Sequence, residues 1–282
     1  EFHPNRSCIL LHQYIKGFAN LLFFCLHENR SDELLSLINI QQFLHIASKS
    51  LDSPSYLFII YIISLFLNHN EIQMRIDSIE VILSTLSHAL VINFDVPIGK
   101  SGHLYVLNSL KVFFQSLLSQ EQLNTEEIVY CVDQKTDLSI TLDCYFDHET
   151  GIFEKCLATS VLALLYSLNV PDKSETVFKL IPLFNEITEV ECDYQIPQNE
   201  LIFLLCNSLD IIIHSPNGFI TLLRMYPKGL IQAVVASIIK SSDNMIELKL
   251  IELLSSFIEV NALDPPINSF FLSEGCMKLL LS

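Results

Sequence analysis

An all-α fold, an α-solenoid of antiparallel helix pairs with one small β-hairpin inserted around residues 127–146, is what this sequence predicts. Three observations predict it. Apolar residues recur at helical spacing along nearly all of the 282-residue chain, which only 7 Gly and 10 Pro interrupt, most of the Pro falling between periodic segments. Several of the helices are apolar on more than one side, which places them between neighbours. One stretch in the middle changes to a period of two, the spacing of a half-buried strand.

The elements follow in order. A first helix covers about Arg6 to His27, and a second runs from a Ser31 cap through "DELLSLINIQQFLHIAS". Leu34, Leu35, Leu37, Ile38, Phe43, Leu44 and Ile46 leave this second helix little polar surface. The third follows Pro54, a residue suited to the first helical turn, and ends near Leu67. The fourth covers about Glu71 to Leu90, with Ile72, Ile76, Ile79, Val81, Ile82, Leu83 and Leu86 around much of its circumference. A fifth, "HLYVLNSLKVFFQSLLS", spans His103 to Ser119.

Here the period changes. "EIVYCV" (Glu127–Val132) is rich in β-branched and aromatic residues, and in "LSITLDCYF" Leu138, Ile140, Leu142, Cys144 and Phe146 alternate with Ser139, Thr141, Asp143 and Tyr145. Joined by the five-residue "DQKTD", the two segments predict a β-hairpin. With its flanks it forms an insertion over residues 124–150. A lone hairpin is marginal in water, so its apolar side should lie on the helices. Helical periodicity then resumes over Ile152–Leu168, Ser174–Ile187, Gln198–Ile213, Phe219–Met225, Lys228–Lys240, Asp243–Glu259 and about Ile267–Leu281. Most connections are short, which makes consecutive helices antiparallel neighbours. One helical domain over residues 1–282 is the expectation.

The pairing repeats at roughly 40-residue intervals (about 6–50, then 54–92), a spacing typical of helical-repeat arrays. On "SDELLSLINIQQFLHIAS", "SPSYLFIIYIISLFLN" and "EIQMRIDSIEVILSTL" the chain resembles armadillo/HEAT-type repeats. The resemblance implies a stacked-helix fold and a habit of binding other proteins.

Composition narrows the partners. Half of the residues are apolar, 17% are charged and there is no Trp, with a mean hydropathy of +0.42. Such a chain either encloses a long continuous core or carries surface meant for partners, so a homodimer or obligate complex is expected. The net charge of −16 is uneven: residues 121–200 hold 16 acids against 4 bases. No basic cluster exists to neutralise phosphates, which disfavours nucleic acid. The run "NEITEVECDYQIPQNE" supplies the candidate docking residues Glu186, Glu189, Glu191 and Asp193, which would steer a basic segment of a protein partner.

The longest apolar run, Tyr56–Leu67, is 12 residues and contains Ser64, against the roughly 20 a membrane span needs. "CILLHQYIKGFANLLFFCL" is long enough but is broken by His12, Gln13, Lys16 and Asn20. The chain opens Glu1-Phe2 without Met or a secretory signal, which predicts a fragment of a longer protein. Eight Cys without a CxxC pair predict free thiols in a reducing cytoplasm or nucleus. Two sequons, at Asn5 and Asn29, matter only in a secreted chain.

"FDVPIGKSGH" (Phe94–His103) invites a phosphate-loop reading. A Walker A loop needs Gly five residues before the Gly-Lys pair so that bare backbone wraps the phosphates, and Phe94 stands there. Asp95 adds a negative charge, Pro97 lacks an N–H, and helical spacing precedes the segment. The expectation is an inter-helix loop with Gly99 and Gly102 supplying turns. Cys131, Cys144, Asp143, Asp147 and His148 suggest zinc, but paired hairpin strands would hold Cys131 and Cys144 roughly 17 Å apart. No GxSxG or HExxH occurs, and the nine His are dispersed.

The expected function is therefore a non-catalytic interaction scaffold or regulatory subunit of a larger nuclear or cytoplasmic assembly, such as one built on a large kinase or a genome-maintenance complex, with no cofactor, metal or catalytic residue. A membrane-associated helical protein, or an enzyme with a site near the hairpin, are the alternatives.

Overall fold

The computed structural model describes residues 13–18, 20–21, 24–25, 76–91, 99–119, 125–146, 150–189, 198–225, 228–241 and 243–261. Among them there is no strand. The chain divides into two compact units, Glu1–Thr136 and Asp137–Ser282. Residues 13–18 are helical, within the expected first helix. The helices expected after Ser31, after Pro54 and over Ile267–Leu281 lie outside the described residues.

In the first unit α1 (Ile76–Val91) packs against α2 (Gly99–Leu118) and α3 (Thr125–Lys135). Ile79, Ile82, Leu83, Leu86 and Leu90 form the buried stripe of α1, at the spacing of one helix face. α2 buries Leu107, Leu110, Phe113, Phe114 and Leu117, and the two Phe rings meet edge to face with centroids 5.3 Å apart. The loop reading of Gly99 and Gly102 is corrected: α2 begins at Gly99 and includes both. Each Gly costs a helix about 1 kcal/mol relative to Ala, a penalty that the buried residues between Val106 and Leu117 offset.

The hairpin is also corrected. Glu127–Val132 lies within α3, and "LSITLDCYF" forms α4 (Leu138–Asp143) running into a 3₁₀ turn, Cys144–Phe146. Ile128, Cys131 and Val132 are buried, at i, i+3 and i+4. In the second segment Leu138, Leu142 and Tyr145 are buried while Ile140 and Cys144 are exposed. Leu138 and Leu142 fit a period of two and a period of 3.6 equally, and the intervening residues decide. A helix pairs its own backbone groups, whereas an isolated two-stranded hairpin leaves two open edges. Asp137, at φ 42°, carries the bend before α4, and Thr136 Oγ1 donates to the carbonyl of Val132 at 2.8 Å.

The second unit continues with α5 (Ile152–Ser167), a 3₁₀ turn (Thr176–Lys179), α6 (Leu180–Glu189), α7 (Gln198–His214), α8 (Gly218–Met225), α9 (Leu230–Lys240) and α10 (Asn244–Asn261). The helix expected from Ser174 starts instead with that 3₁₀ turn. α5 is the central element, with 12 of its 16 residues buried. Such a helix needs neighbours on every side. It packs on α7 and α6; α7 in turn packs on α10, and α9 on α6 and α10. Ala158, Thr159, Ser160 and Ala163 keep α5 slim, and Ser160 Oγ meets Ser208 Oγ of α7 at 3.2 Å inside the core.

Two glycines serve connections. Gly229 takes φ 92° at the start of α9, a left-handed conformation open to Gly at little cost. At Gly218 the chain turns from α7 into α8 so tightly that a Cβ would lie 2.1 Å from the Ile213 carbonyl oxygen.

Candidate docking site

The acidic residues singled out in the sequence do not share one fate. Glu186 is paired within the fold: its carboxylate accepts two bonds from Lys155 Nζ, at 2.7 and 2.9 Å. The Lys155 side chain is 3% exposed and that of Glu186 37%. The pair ties α5 to α6, so the Glu186 charge is neutralised within the unit. Glu189 is the last residue of α6, and Glu191 and Asp193 lie outside the described residues, as do Asp147 and His148.

A second polar cluster organises the connection between α5 and α6. Asp172 accepts the backbone N–H groups of Thr176 and Val177, at 3.1 and 3.0 Å, and the hydroxyl of Tyr166 at 3.2 Å. Burial and the Asp172 carboxylate raise the Tyr166 phenol well above its ordinary pKa. Asp143 accepts from Thr176 Oγ1 at 3.1 Å and pairs with Lys179 at 2.8 Å. The Phe178 ring carries two cations, Lys228 Nζ 3.7 Å and Arg224 5.2 Å from its centroid, and Arg224 also pairs with Glu175. These carboxylates hold backbone and cations in place.

The described cysteines are free thiols, and burial pushes Cys206 up to about 12, which denies it thiolate character near neutrality. Among the described residues no three His, Cys, Asp or Glu side chains are grouped to hold a metal ion. A cavity of about 270 Å³ opens between the starts of α7 and α10 and the end of α9, lined by Gln198, Asn199, Ser237, Lys240 and Asp243. Its polar groups are used locally. Gln198 Nε2 donates to the Ile187 carbonyl, Ser237 Oγ to that of Ala233, and Asp243 Oδ1 accepts the Met245 N–H that opens α10.

The surface of α10 stands apart. One face buries Ile246, Leu250, Leu253, Leu254 and Phe257 in the core. On the opposite face Met245, Leu248, Ile251 and Ile258 are between 45 and 60% exposed. Leu248, Ile251, Ser255 and Ile258 follow one another at steps of three, four and three residues, forming a straight seam along three turns. Glu247 borders the seam on one side; Glu252 and Glu259 border it on the other. Lys249 is the one base on this helix, and its Nζ donates to Glu252 at 3.2 Å. Beside the end of the seam, Ile213, Pro216, Phe219, Glu259 and Val260 line an open groove of about 530 Å³.

The sequence holds the signal for this face. "NMIELKLIELLSSFIE" carries more apolar residues than a single core-facing stripe requires, and its charges fall beside the surplus. Among the described residues no single helix is long and apolar enough to cross a membrane; α8 and α9 together reach the needed length and composition, with a 76° bend between them. Comparison of the chain with protein-family models, with curated proteins and with solved structures finds no match.

Proposed function

We propose that this chain is a non-catalytic docking scaffold, a regulatory or structural subunit of a larger intracellular assembly in the nucleus or cytoplasm. The observation that carries the reading is the outer face of α10, where four large apolar side chains stand in water within an acidic border. A solvated apolar seam of this length is unfavourable unless something covers it. The closed polar clusters of the second unit support the same reading, because their charged groups are directed at neighbouring elements. Helix packing in rows, α5 on α7 on α10 and α6 on α9, supports an armadillo/HEAT-like stack, whose usual role is to present shaped exterior to other proteins. The acidic segment containing Glu189, Glu191 and Asp193 would add electrostatic steering towards a basic partner.

The test is affinity capture from cells with the intact chain and with a Leu248→Asp/Ile251→Asp variant of unchanged circular dichroism. A docking scaffold retains a stoichiometric protein partner that the variant loses. Equal recoveries with both chains, or recovery of nothing, would refute it.

A further inference from the structure

We infer that the outer face of α10 binds an amphipathic helix of a partner protein whose apolar seam is bordered by Lys or Arg. The inference rests on the docking reading and names the chemistry of the occupant. Leu248 and Ser255 stand at a positions and Ile251 and Ile258 at d positions of a heptad, while Glu252 and Glu259 fall at e and Glu247 at g. In paired helices the e and g residues meet those of the partner, so this border selects cations opposite it. From Leu248 to Ile258 the seam runs about 15 Å at 1.5 Å per residue, three turns, the scale of helix-in-groove recognition.

The same charges argue against the other occupants. A second copy laid on this face would set Glu247 against Glu252 on both borders of a parallel pair, and Glu252 against Glu259 along the e border of an antiparallel one. Residues 262–282 of the chain itself contain one base, Lys278, against Asp264 and Glu274, too few to complement three glutamates. Ser255, small and polar in the middle of the seam, leaves room for a large apolar side chain from the partner.

Three synthetic peptides of about three heptads test this, sharing one Leu/Ile seam and carrying Lys, Gln or Glu at every e and g position. Binding to the full chain is followed by fluorescence anisotropy at low and at moderate salt. The Lys peptide should bind about tenfold or more tighter than the Gln peptide, with the advantage shrinking as salt screens the border. The Glu peptide should not bind, and Ile251→Asp should abolish binding of the Lys peptide. Glu252→Lys with Glu259→Lys, both exposed, should transfer the preference to the Glu peptide. Equal binding of all three peptides, Lys-peptide binding indifferent to Ile251→Asp, or no binding would overturn the inference. If captured partners from cells still depended on Leu248 and Ile251 while the Lys peptide failed, the basic-helix assignment alone would fall and the docking reading would stand.

Discussion

Lys155 and Glu186 form a pair whose two members sit in unequal surroundings, and removing one should cost much more than removing the other. Glu186→Ala leaves an ammonium at 3% exposure without its two bonds, and stranding a buried charge in this way costs about 3–5 kcal/mol. Lys155→Met keeps the apolar stem and removes the charge. The carboxylate left behind is 37% exposed and reaches water, so the loss should be about 1 kcal/mol. The two variants should differ by roughly 2–4 kcal/mol. With a urea m-value of about 2 kcal/mol/M, Glu186→Ala should lower the unfolding midpoint by about 1.5–2.5 M and Lys155→Met by about 0.5 M. Because the chain has two compact units, hydrogen exchange in α5 and α6 should accompany the urea titration to locate the effect. If Lys155→Met proved as damaging as Glu186→Ala, the account of which partner water reaches would be wrong.

Other outcomes follow from single positions. Leu142→Ala should cost about 2–5 kcal/mol, and Ile140→Lys less than about 0.5 kcal/mol, by thermal or urea unfolding; a hairpin, with both residues on one face, would make them comparable. Gly218→Ala should destabilise by more than about 2 kcal/mol in the same assay, because its Cβ would meet two backbone carbonyls that cannot rotate away. Alkylation at pH 8, followed by mass spectrometry, should label exposed Cys144 in the native protein and spare Cys206. The Cys206 thiol is raised from 9 to about 12 on folding, so the unfolded chain loses its proton first. Its contribution to stability is present below pH 9 and is lost as pH rises towards 12, and Cys206→Ala should flatten that decline.

Helices α5 and α7 to α10 were legible because their apolar residues repeat at 3.6 between clear breakers. The bounds of α5, α7 and α8 differ from expectation by a residue or less. The segment 127–146 was not, since a nine-residue stretch holds too few turns to separate two periods when Leu138 and Leu142 satisfy both. Tyr145, read as strand exterior, is buried, and Cys144, read as interior, is exposed. Acidic character could be counted, but composition does not say which carboxylates are paired within the fold. Glu186 is claimed by a lysine 31 residues earlier, a long-range pairing that no local pattern encodes. The α10 seam lay within a helix correctly placed from sequence, and only burial separated its core face from its outer one.

The hydroxyl contact between Ser160 and Ser208 bears on alignment. Leucine against leucine is nearly indifferent to sliding by a turn, since grease has no sense of direction. Two alcohols meeting at a single height do, and any axial slip of α5 along α7 would break their contact. One modest dipolar contact thus works as a locating pin for the packing of α5 on α7, and replacing both serines with alanine should yield a helix pair equally greasy but free to settle at more than one height.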